Sequence, residues 1–133
     1  MSWFRAVWMG VMLAGLMGAV APQPALAHHS FPATYLVDQI ITIDGTVSQF
    51  LFRNPHSFVH VMTTDKEGKT TTWSVEWGGG SGLEGAFKDH EMLKPGDKVT
   101  ITGNPGRDPS QHRLRMRSIV RPSDGWKWEG TFG

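Results

Sequence analysis

The sequence predicts an all-β domain with one short helix, closed into a small five-stranded barrel. Three observations carry this. Alternating, β-branched runs recur along residues 40–121. The first of them is long and holds a glycine, Gly45, in its middle, as a strand that bends around a barrel needs. The one stretch with helical spacing falls between the third and fourth runs. Three strands, a helix and two strands is the plan of the OB-fold, a Greek-key barrel. A small open β-sandwich is the alternative.

The first strand runs from Ile40. Ile41, Ile43, Val47, Gln49 and Leu51 fall on one side, and Thr42, Asp44, Thr46 and Ser48 on the other. Arg53-Asn54-Pro55-His56 reads as a turn, because Pro55 cannot donate to a ladder. Ser57 to Thr63 follows as a strand, with Val59 and Val61 opposite His56, Phe58, His60 and Met62. Asp65-Lys66-Glu67-Gly68 closes a hairpin into Thr70 to Trp77, where Thr71, Trp73, Val75 and Trp77 share a face. Gly78-Gly79-Gly80-Ser81-Gly82 reads as a flexible connector, and Leu83 to Leu93 as the helix, stopped by Pro95-Gly96. Lys98 to Thr102 is the fourth strand, ended by Gly103; residues 104–109 form a loop. Arg113 to Val120 is the fifth, with Leu114, Met116, Ser118 and Val120 opposite Arg113, Arg115 and Arg117.

Four segments result. Residues 1–27 have the layout of a cleaved signal peptide: Arg5 as the basic n-region, an apolar run from Val11 to Ala21, and Ala25-Leu26-Ala27 as the small-x-small site. The apolar run is short of the ~20 residues a span needs, and Pro22 and Pro24 interrupt it. No stable membrane span is expected after processing, and the location is periplasmic or secreted. Residues 28–39 are an extended N-terminal segment, 40–121 the barrel, and 122–133 a tail with Trp126 and Trp128 but no clear element.

Removing 27 residues from 133 leaves 106, enough for one small core. Without Arg5 the basic and acidic side chains are equal at 12 each. That balance gives no attraction for nucleic acid. The chain has no cysteine, which excludes disulfides, thiol redox chemistry and Cys-type zinc sites.

His28-His29-Ser30-Phe31, Asn54-Pro55-His56 and the run from Leu93 to Gly103 (Leu-Lys-Pro-Gly-Asp-Lys-Val-Thr-Ile-Thr-Gly) resemble a family of small exported bacterial proteins known only as a domain of unknown function. The resemblance spans essentially the whole mature chain and implies an exported OB-like barrel. It implies no activity. The layout is more distantly similar to other periplasmic OB-fold proteins, including the haem chaperone of cytochrome c maturation, but no haem-attachment motif is matched.

Cleavage after Ala27 places a free α-amine on His28. Amine and imidazole on one residue form a chelating pair, and a further imidazole would complete a nitrogen-rich, T-shaped site. Tetragonal nitrogen ligation selects Cu(II). This pair resembles the histidine brace of copper monooxygenases and copper carriers, in the site alone. His29, His56 and His60 are the candidate helpers. His56 and His60 stand roughly 13 Å apart on a regular strand and cannot share one ion. A half-buried sheet histidine is the plainer reading of His60.

Arg113, Arg115, Arg117 and Arg121 suit an acidic partner or, more simply, a solvated edge that discourages aggregation. Trp126 and Trp128 suit stacking on a sugar or covering the barrel end. No nucleophile–base–acid set is visible. The expectation is therefore a non-enzymatic exported binding module with copper as its only candidate cofactor. The alternative is a metal-free interaction or accessory subunit of an envelope complex.

Overall fold

The computed structural model describes residues 30–132. The expected leader, His28 and His29 lie outside the described residues.

One helical turn, α1 (Phe31–Thr34), precedes β1 (Ile41–Leu51), β2 (Ser57–Thr64) and β3 (Thr70–Trp77). A short α2 (Gly80–Leu83) runs into a 3-10 turn (Glu84–Phe87). Then come β4 (Lys98–Pro105), a second 3-10 turn (Pro109–Gln111), β5 (Arg113–Arg121) and β6 (Trp126–Glu129). The sheet order is β3-β2-β1-β4-β5-β6. A parallel pairing of β3 with β5, Ser74 to Arg113 through Glu76 to Arg115, closes five strands into a barrel. The fold is the expected OB-like barrel with one added strand.

The alternation of β2 and β3 places Val59, Val61, Val75 and Trp77 inside, all fully buried. On β1 the pattern holds only to Val47. Val47 pairs with Val61 and Gln49 with His60, so Ser48 is an extra residue. Its bulge reverses the faces beyond it. Phe50 packs on Trp77 and Phe87 at 6.0 and 5.9 Å, while Gln49, expected inside, is exposed. The bulge thus lies beyond Gly45, which instead lets β2 approach: a Cβ there would run into the Met62 carbonyl. A second slip, between Thr102 and Gly103, leaves Arg117 without a partner on β4. Ile119 and Arg121 turn inward in consequence, and Ser118 and Val120, expected inside, do not.

Three further expectations are corrected. The glycine run is not a flexible connector: Gly78 O accepts from Ser57 N at 3.1 Å, and a Cβ on Gly79 would stand 2.6 Å from Asn54 Oδ1. The helix begins earlier and is shorter than 83–93. Leu83 and Phe87 are buried as expected, but Lys88 leaves the helical backbone at ψ 125° and ends the run, and Asp89 follows at φ 65°. The N-terminal segment is not wholly extended, since Pro32 sits in the first turn of α1. Tyr35 beyond it is fully buried and bridges to Gly106.

The tail also forms structure. In β6, Arg121 pairs with Trp126 and Ile119 with Trp128. Trp126 stacks on Phe87 at 4.8 Å, and its Nε1 donates to Ala86 O at 2.7 Å. Among the described residues no helix is long and apolar enough to cross a membrane.

Candidate functional site

The turn before β2 is held from several sides. Ser57 is fully buried, and its Oγ donates to Arg53 O at 3.1 Å. Asn54 Oδ1 accepts from Ser81 N and Oγ at 3.3 and 3.1 Å. His56, between these two anchored residues, is thereby fixed at the mouth of the barrel.

Glu76, on β3, is 8% exposed and gathers the groups around it. Its Oε1 accepts from His56 Nδ1 at 2.7 Å. Its Oε2 accepts from the Tyr35 hydroxyl and lies 3.7 Å from Arg113 Nη2. With the carboxylate accepting, Nδ1 of the neutral His56 ring carries the proton and Nε2 keeps its lone pair. Phe31 stacks on the imidazole at 5.9 Å and 22°, and Phe132 meets it edge-on at 5.7 Å. The Arg115 guanidinium covers the other partner, lying 3.6 Å from the Phe31 ring centre and donating to Phe132 O at 2.7 Å. Ser30, Phe31, Thr34, Tyr35, Glu76 and Arg113 line a cavity of about 190 Å³.

Burial first, and then the bond to Glu76 and its charge, push Tyr35 ionisation well above the ordinary phenol range. Above pH ~10 the unfolded chain releases this proton while the folded chain holds it. Stability is therefore complete below pH ~10 and falls as pH rises through the folded value. Tyr35 is the only tyrosine, so phenolate absorbance reads it directly. In the folded protein that absorbance is expected well above pH 10, and in urea near it. Tyr35→Phe is expected to flatten the alkaline slope of the urea midpoint.

Of the four predicted metal ligands, His28 and His29 lie outside the described residues. His56 occupies the site just described. His60 lies half-buried on the outer face of β2, opposite Gln49 and Ser74 and between Phe58 and Met62. Among the described residues no three His, Asp or Glu side chains converge as a metal cage.

The arginine face is not a solvated edge. β5 is paired with β4, β3 and β6. Arg113 faces Glu76 and Tyr35, Arg115 clasps Phe31 and Phe132, and Arg121 is buried. Sequence reasoning missed Tyr35 and Glu76. The signals were the chain's one tyrosine, standing in the lead-in to β1, and a carboxylate flanked by two core residues, Val75 and Trp77.

Among curated proteins no match to the chain was found. Residues 17–115 match the family described as "Family of unknown function (DUF6152)". That stretch takes in β1 to β4, the Asn54-Pro55-His56 turn and Glu76, and the chain belongs to this family.

Proposed function

We propose that this protein is an exported, non-enzymatic binding module that takes Cu(II) at its processed N-terminus. The amine and imidazole of His28 form the chelate, His56 Nε2 supplies the further nitrogen, and His29 stands by as a helper. The observation that carries this is the hydrogen bond from His56 Nδ1 to Glu76. Histidines that ligate metals almost always donate their other ring N–H to such a partner, which fixes the tautomer and the ring plane. The stacking of Phe31 on the same ring supports it as well. Positions 28 and 31 are three residue steps apart, a reach of roughly 10 Å. His60 is the poorer helper because its ring lies on the outer sheet face, away from Phe31.

The alternative, a metal-free accessory subunit of an envelope complex, draws on an arginine face. Arg113, Arg115 and Arg121 are engaged internally, and what favours that reading instead is the set of exposed apolar side chains, Ile40, Met92, Met62 and Phe52 among them.

A chain beginning at His28 is expected to bind Cu(II) at low micromolar affinity or better, with nitrogen hyperfine structure in its paramagnetic resonance spectrum. Acetylation of the His28 amine in the same chain is expected to abolish most of that binding. Equal binding by the free and acetylated chains rules out the amine chelate. Mass spectrometry finding another mature terminus removes the site altogether.

A further inference from the structure

On the far side of Arg113 lies a second, larger cleft of about 260 Å³, between the segment preceding β1, β3 and the β4–β5 loop. Trp73 and Ile41 give it an apolar lining, and Gln39, Asp108, His112 and Arg113 stand around them. We propose that this cleft binds a single pyranose ring of a neutral saccharide.

The loop that makes the cleft is held in place. Asp108 Oδ1 accepts from Ser110 N and Oγ at 3.0 and 2.6 Å, and its Oδ2 from Gln111 Nε2 at 3.1 Å. These bonds also keep the Asp108 carboxyl below its ordinary range. His112 at the end of the loop takes a left-handed backbone, φ 45°, a conformation non-glycine residues adopt at a cost. In it the imidazole meets the Trp73 ring edge-on at 5.4 Å and 78°. Ser74 N donates to His112 O at 2.9 Å and ties the loop to β3. The aromatic wall and its polar neighbours are thus set before any ligand arrives.

The chemistry of the lining selects the ligand class. Its polar groups mix an anion, Asp108, a cation, Arg113, an amide and an imidazole. A ligand of either charge would meet its like on one side. A hydroxyl donates and accepts equally well, so a ring bearing several suits such a mixture. The C–H face of a pyranose is apolar and matches an indole wall. The volume is just below the ~300–1,000 Å³ of sites for drug-sized ligands, which limits the occupant to one ring or little more. Barrels of this plan take oligosaccharides or oligonucleotides around the β4–β5 loop, and the equal numbers of basic and acidic side chains from His28 onward give no attraction for the polyanion.

The test is a titration of the chain beginning at His28 with glucose and with N-acetylglucosamine, followed by heteronuclear NMR. Saturable shifts of the Trp73 indole and Gln39 amide signals are expected, with Kd on the order of 1 mM. Trp73→Ala should weaken binding at least about tenfold, roughly the worth of one stacking contact. Gln39→Ala and His112→Ala, which leave Trp73 in place, should each weaken it too if Trp73→Ala fails to fold. Lack of saturation by either sugar overturns the proposal, as do shifts that persist in all three variants. Saturation by a proline-rich peptide and by neither sugar overturns it as well. Copper affinity is expected to be unchanged in these variants, so the cleft and the histidine site stand or fall separately.

Discussion

Arg121→Ala is expected to cost about 3–5 kcal/mol, as removing one partner of a buried ion pair does. That is a large part of the ~5–15 kcal/mol that holds a domain of this size together. Arg121 is 3% exposed and reaches in several directions. Nη1 donates to Asp97 Oδ2 at 3.0 Å, Nη2 to Asp124 Oδ2 at 2.8 Å and Nε to Asp124 Oδ1 at 3.0 Å. Nη2 also donates to Glu91 O at 2.9 Å, and the guanidinium lies 5.2 Å from the Trp126 ring centre. Alanine would leave the nearly buried Asp97 carboxylate with only the Lys94 amide to bind it. Arg121→Lys keeps the charge but loses the planar fork, and is expected to fall between alanine and the native chain.

The same network makes an acid prediction. Arg121 holds the Asp124 carboxyl far below the usual carboxylate range. Its contribution is present above pH ~4, the unfolded value, and is lost as pH falls toward the folded one. Asp124 is partly exposed, so salt screens part of this. Urea midpoints taken from neutral to acid pH should fall for the native chain. They should fall less steeply for Arg121→Ala, which has already lost the pair. An unchanged slope would mean that Asp124 is not held by Arg121.

Glu76→Gln carries the largest expected effect on function. The proposed ligand His56 depends on this carboxylate for its tautomer and plane, and loss of such a partner lowers metal affinity by ~10–100-fold. Glutamine keeps the shape of the side chain and can still accept from Tyr35, so the barrel is expected to fold. The change is also visible without copper. Removing the negative charge and the charge-assisted bond should bring Tyr35 ionisation down toward its ordinary value, although burial continues to hold it up. If the tyrosine titration moves while Cu(II) affinity stays native, His56 is not a ligand and the chelate must find its nitrogen elsewhere.

The strands were legible because side-chain alternation has a period of two and depends on local order alone. Val59, Val61, Val75 and Trp77 could be placed inside on that basis. Beyond Ser48 and Arg117 the same rule fails, because each is an extra residue opposite its partner strand, and the alternation of one strand carries no sign of the register of the pair. The same pairing turned Arg121 from an expected solvated edge into a buried hub. The glycine run misled for a related reason. A flexible composition is also what permits close packing, and only the neighbouring Asn54-Pro55 turn decides between the two.

The sequence by itself determined the barrel plan, the position of its helical turn, the absence of thiol chemistry and the residue types able to bind a metal. Those follow from periodicity, punctuation and composition. Tertiary structure alone decided which histidine is oriented by a buried carboxylate. Tyr35 and Glu76 stand 41 residues apart, and Glu76 stands 20 from His56. Only barrel closure, with β3 between β2 and β5 and the N-terminal segment laid against it, brings a phenol, an imidazole and a guanidinium to one buried carboxylate.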